Sequence, residues 1–99
     1  MSSNANLPNS HREASLSAQD TYTVPGTFGG TFMLRIRGTW VGTITLERSD
    51  DQGVNFDQVE EFVDNDVRIG AEVNRGGATY RLGFATGNYT SGTADVRLG

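Results

Sequence analysis

From Asp20 to the C-terminus, apolar and polar residues alternate in short runs, and glycine, asparagine or aspartate stops each run. This pattern constrains the fold more than any other feature of the chain. A period of two puts neighbouring side chains on opposite faces of an extended strand, whereas a helix needs apolar residues three and four apart. No stretch has the helical spacing, and thirteen glycines among many β-branched residues make a helix costly.

The runs can be read one by one. Tyr22 and Val24 mark a first strand, stopped by Pro25-Gly26. Phe32, Leu34 and Ile36 alternate with Met33, Arg35 and Arg37, which sends the first three inward and the second three outward. Gly38-Thr39 reads as a turn. Trp40, Ile44 and Leu46 then share the inward parity on one strand, with Gly42 on the same face beneath the indole. A turn over residues 49–55 leads to a strand over 56–63 whose parity slips, with Phe56 and Phe62 on one face and Val59 and Val63 on the other. Either a β-bulge repairs the slip or both faces are partly covered. Val67, Ile69 and Val73 mark a further strand, Tyr80, Leu82 and Phe84 the next, and Ala94, Val96 and Leu98 the last. Six or seven short strands without helices predict an all-β fold. We expect a single small β-sandwich or jelly-roll-like domain over residues 20–99.

Residues 1–19 differ. They are rich in Ser, Asn and Ala, show no period, and have only Leu7 and Leu16 as large apolar residues. Such a segment cannot bury enough apolar surface to offset its ordering entropy, so by itself it is expected to be disordered. It is either a frayed terminus or an extended arm that becomes ordered on a partner. The second reading expects Leu7, Pro8 and Leu16 to anchor it on another chain.

Charge and composition narrow the function classes. Twelve acidic residues against eight basic ones give a net charge of −4, and every basic residue is arginine. A nucleic-acid ligand requires the opposite sign. There is no cysteine, no apolar run long enough to span a bilayer, and no basic-then-apolar leader at the N-terminus. We expect no membrane and no nucleic-acid partner, and manufacture in a reducing cytoplasm. A core this thin without disulfides predicts reinforcement by partner subunits, as a homo-oligomer with a trimer favoured.

No catalytic constellation emerges, so the domain is expected to bind and not to catalyse. His11 is the only histidine and lies in the arm, where no scaffold holds a base against a nucleophile. The carboxylate pairs Asp50/Asp51, Glu60/Glu61 and Asp64/Asp66 read as solvated turn and edge charges, because adjacent residues on a strand face opposite ways. Neither a cofactor nor a metal site is expected. Ser49, Asp51, Gly53 and Phe56 match the Ser-x-Asp-x-Gly-x-x-aromatic pattern of an Asp-box. In that hairpin brace, Ser and Asp satisfy turn amides, Gly takes a positive φ and the aromatic ring plugs the base. Trp40, Tyr22, Tyr80 and Tyr89 could offer a sugar-stacking platform. Trp40 and Tyr80 have inward parity, however, so Trp40 is expected to share a core with Phe32. Asn88-Tyr89-Thr90 spells a glycosylation sequon without a visible secretory route.

From about Gly30 onward the chain resembles small bacteriophage virion accessory proteins of the capsid cement, or decoration, type. The resemblance rests on Phe32 to Ser49, Asp51 to Phe56, Tyr80-Arg81-Leu82, and Thr90-Ser91-Gly92-Thr93. It implies a sandwich or jelly-roll domain without enzymatic activity. It also implies a structural role on the outside of an assembled shell, with the major capsid protein as partner and the virion surface as location. A carbohydrate- or receptor-binding module of a tail fibre or baseplate is the alternative.

Overall fold

The computed structural model describes residues 11–74 and 76–99. Among them the chain forms strands and no helix. They are β1 (Arg12–Leu16), β2 (Thr21–Tyr22), β3 (Gly26–Phe28), β4 (Gly30–Gly42), β5 (Ile44–Ser49), β6 (Asp57–Phe62), β7 (Asp66–Glu72), β8 (Ala78–Phe84) and β9 (Tyr89–Leu98).

Sheet A has the order β1-β9-β4-β7, and sheet B the order β2-β8-β5-β6 with β3 also on β8. Every pair is antiparallel. With β2 and β3 counted as one interrupted strand, the first strand pairs the last, the second the seventh, the third the sixth and the fourth the fifth. A long hairpin folded over on itself gives this nesting, which is the jelly-roll arrangement of two packed sheets. The all-β sandwich expected from the alternation is therefore the fold.

The inward residues are those the alternation picks out. Phe32, Leu34 and Ile36 of β4, Ile44 and Leu46 of β5, Tyr80, Leu82 and Phe84 of β8, and Ala94, Val96 and Leu98 of β9 are all buried between the sheets. Met33, Arg35 and Arg37 lie on the outer face of sheet A, as expected. The bulge also falls where the parity slip put it: Leu46 pairs Glu60 and Glu47 pairs Gln58, so Val59 is the extra residue.

Three expectations need correction. The chain does not turn at Gly38-Thr39, because β4 stays paired with β9 from Leu34 through Val41. The break comes four residues later. Gly42 has φ of 145°, and the chain there leaves sheet A to begin β5 in sheet B. Trp40 and Ile44 therefore share a parity but not a strand. Gly42 lies against the Asn88 carbonyl and the Phe84 ring, and the glycine paired with Trp40 is Gly92 on β9.

The third correction concerns the arm. Residues 12–16 are β1, an edge strand of sheet A paired with β9 from Arg12↔Leu98 to Leu16↔Ala94. Leu16 is buried in this domain's own core and does not lie against another chain. The domain therefore begins ahead of residue 20. The segment looked too polar to order because its alternation, Ala14 and Leu16 inward and Glu13 and Ser15 outward, is only two apolar residues long. Leu7 and Pro8 lie outside the described residues.

Candidate functional site

The Asp-box hairpin follows β5 and is built as a brace. Ser49 is buried, and its Oγ accepts the amides of Gly53 (2.9 Å) and Asp51 (3.2 Å) while donating to Asp51 Oδ1 (2.5 Å). Asp51 also accepts the Asn55 amide and the Asn55 Nδ2, each at 2.8 Å. Gly53 has φ of 92°, the left-handed conformation the motif requires. These bonds, the Ser49 hydroxyl first and the Asn55 donors next, hold the Asp51 carboxyl down at about 2. Both carboxylate oxygens are thus engaged within the turn, as a structural brace demands. Phe56 stays beside Gly53, whose Cβ, if present, would lie 3.8 Å from the ring. The same ring receives the Arg81 guanidinium at 4.0 Å, and Tyr22 receives it at the same distance. Glu47 accepts from Arg81 Nε at 2.6 Å, so the motif's aromatic also locks the outer face of sheet B.

Beside the brace lies an open cleft of about 430 Å³ lined by Thr27, Ser49, Asp50, Gln52 and Thr79 among others. No aromatic ring lines it, so it offers a sugar no stacking surface. The four candidate aromatics do not form a platform either. Tyr80 is buried against Phe28 and Phe32, and Tyr22 lies under Arg81. Trp40 and Tyr89 are partly buried and pack edge-on against Phe84 at the other end of the sandwich. Trp40 donates its indole N–H to Asn65 (2.8 Å), and Tyr89 donates its hydroxyl to the Gly92 carbonyl (2.9 Å). Phe32 and Trp40 sit at opposite ends of β4, yet Trp40 packs, partly buried, against the same core that Phe32 belongs to.

A buried ion pair pins the two sheets together. Glu72, on the inner face of β7, accepts Arg48 Nε (2.8 Å) and Nη2 (2.9 Å) from β5, the Tyr80 hydroxyl (2.6 Å) from β8, and the Asn74 amide (2.9 Å). Arg48 also meets Asp50 at 2.6 Å. Donation from Arg48, then from Tyr80, holds the Glu72 carboxyl down at about 2. Burial and the Glu72 charge together push the Tyr80 hydroxyl up to about 12. This pin is not among the expectations drawn from the sequence. Its signal is that Arg48 continues the inward parity of Ile44 and Leu46, and a buried charge needs a buried partner.

The least expected feature is β7. Register with β4 (Leu34↔Arg68, Met33↔Ile69, Arg35↔Val67) puts Asp66, Arg68 and Glu72 inward. The aliphatic residues Val67, Ile69 and Ala71 therefore face outward, with Val67 60% and Ile69 70% exposed. Arg68 closes the edge of the sandwich by reaching Glu60 and Asp66 and lying over the Phe62 ring at 5.2 Å. Val24, Val41, Val54, Val59, Val63 and Val73 are also exposed. Among the described residues, no three His, Cys, Asp or Glu side chains gather as a metal site would require. Comparison with family models, with curated proteins and with solved structures found no match.

Proposed function

We propose that this domain is a structural virion protein that cements a bacteriophage capsid from the outside. The observation that carries the reading is the display of eight large aliphatic side chains, each more than half exposed, on a jelly-roll whose inward surface is fully used by its own core. Where such side chains adjoin, as Val67 and Ile69 do on the outer face of β7, the surface marks protein interaction more readily than chemistry. The jelly-roll order, common among viral shell domains, supports the same reading, as does the resemblance of residues 30–99 to cement proteins. The partner is the major capsid protein, and the residues ahead of β1, Leu7 and Pro8 among them, add contacts along it.

The mechanism is linkage. A protein that binds the assembled shell and not the free subunit stabilises the shell by mass action, and repetition over a lattice supplies avidity where each contact is weak. The test is to add the purified protein to shells lacking it, count copies per particle and follow heat-induced shell opening. Cement binds in hundreds of copies and raises the opening temperature. A handful of copies confined to the tail, or saturation without any shift, would overturn the reading in favour of a receptor-binding module.

A further inference from the structure

The outer face of sheet A carries a charge arrangement that its own domain does not resolve. Arg35 on β4 stands directly opposite Arg97 on β9, two like charges in register. Among the described residues Arg97 meets Glu13 at 3.4 Å, while Asp95, opposite Arg37, accepts from the Ser15 hydroxyl at 2.6 Å. Arg35 and Arg37 have no ion-pair partner among the described residues, and the Nε atoms of Arg35 and Arg97 are buried without an acceptor. The face is basic by one charge, since Arg35, Arg37 and Arg97 share it with Glu13 opposite Arg97 and Asp95 opposite Arg37, on a chain of net charge −4. Along its margin run Met33 and the outward Val67 and Ile69 of β7.

The complement of that face is present on the same chain. Glu61 pairs Thr45, whose neighbours Ile44 and Leu46 point inward, so Glu61 lies on the outer face of sheet B at its free edge, β6. The exposed Val59 and Val63 flank it. Asp57, Glu61 and Asp64 have no ion-pair partner among the described residues, whereas Glu60 and Asp66 are taken by Arg68. One surface is aliphatic with unanswered arginines, and the other is aliphatic with unanswered carboxylates.

We infer that the domain associates head to tail with further copies of itself, the outer face of sheet A in one copy receiving the outer edge of β6 in the next, with Glu61 at Arg35 and Arg97. Because two different surfaces meet, the contact repeats around a closed ring or along a filament and does not stop at a two-fold dimer. The inference concerns the free protein and does not depend on attachment to a shell.

Sedimentation of the whole protein between about 1 μM and about 1 mM tests it, a range that spans weak and moderate self-association. The wild type forms a species larger than a dimer, and raising salt from low to high weakens it, as screening of a charged contact requires. Arg35→Glu leaves the fold intact, because it replaces a like-charge pair with an opposite one opposite Arg97, yet weakens association at least tenfold. Glu61→Arg does the same from the other surface. The double variant Arg35→Glu/Glu61→Arg recovers association, and so does an equal mixture of the two single variants. A wild-type monomer throughout, a two-fold dimer, or single variants that associate like the wild type would each overturn the inference.

Discussion

At the scale of single residues, two buried groups, Glu72 and Tyr80, and one turn carboxylate, Asp51, govern how this domain responds to pH. Glu72 is held at about 2 in the fold against an ordinary 4.5. Its folded value lies below its unfolded one, so its contribution to stability is present above about pH 4.5 and is lost as pH falls towards 2. Asp51, also held at about 2, acts with the same sign over a narrower window, since its ordinary value is 3.8. Tyr80 works in reverse: its hydroxyl is raised from 10.0 to about 12, so its contribution is present below pH 10 and fades as pH climbs through 12. Urea midpoints measured across pH should therefore fall on both the acid and the alkaline side. Glu72→Gln should cost about 3 kcal/mol at neutral pH, the low end for breaking a buried pair, since Arg48 keeps Asp50. That variant should also flatten the acid limb. An acid limb identical to the wild type would show that Glu72 is not the titrating group. Tyr80→Phe should cost about 1.5–3 kcal/mol, because it removes a donor from a buried charge, and it should weaken the alkaline fall, to which Tyr22, raised by burial and Glu47, also contributes.

At the scale of elements, the test is which way β7 faces. A strand that shows Val67 and Ile69 to solvent and Arg68 and Glu72 to the core looks inverted on hydrophobicity alone. A slip of one residue would bury the aliphatics and expose the charges. The structure resists that slip because Glu72 is committed to Arg48 and Tyr80, and Gly70 lies against the Phe32 ring where any side chain would collide. Ile69→Lys should therefore change the melting free energy of dilute protein by no more than about 0.5 kcal/mol. Leu34→Ala, one strand away and facing inward, should cost about 2–5 kcal/mol. Loss of folding in Ile69→Lys would place that side chain in the core. The crossing at Gly42 is equally specific. Its φ of 145° and the Asn88 carbonyl packed where a Cβ would stand predict that Gly42→Ala costs more than about 1 kcal/mol, measurable in the same melts.

For the whole molecule, the nested pairing places the first strand against the last, with Arg12 opposite Leu98. Such non-local contacts must be assembled before they stabilise anything, so refolding should take milliseconds to seconds, as stopped-flow fluorescence of Trp40 would show. The same pairing makes β1 part of the domain. A chain starting at Asp20 lacks Leu16 and leaves the edge of β9 unpaired, and it should melt well below a chain starting at His11. Equal melting temperatures would return residues 12–19 to the status of an arm.

What the sequence alone determined is whatever depends on a period of two. Alternation decided that the chain is all-β, which residues of β4, β5, β8 and β9 face inward, that the parity slips within residues 56–63, and that Ser49, Asp51 and Gly53 brace a hairpin. Each of these rests on neighbours a few residues apart, where local sterics and hydrogen bonding suffice. Only the tertiary structure decided the rest: that β4 runs through Gly38 and crosses sheets at Gly42, that Leu16 completes this core, and that β7 turns its aliphatics outward. Those outcomes depend on groups far apart in the chain. β9 must lie beside β4 to carry it past Gly38, and Arg48 and Tyr80 must wait across the sandwich before Glu72 can be buried at all. An alternating strand has two faces of opposite character, and its own residues do not say which one will meet the partner that makes it the inner face.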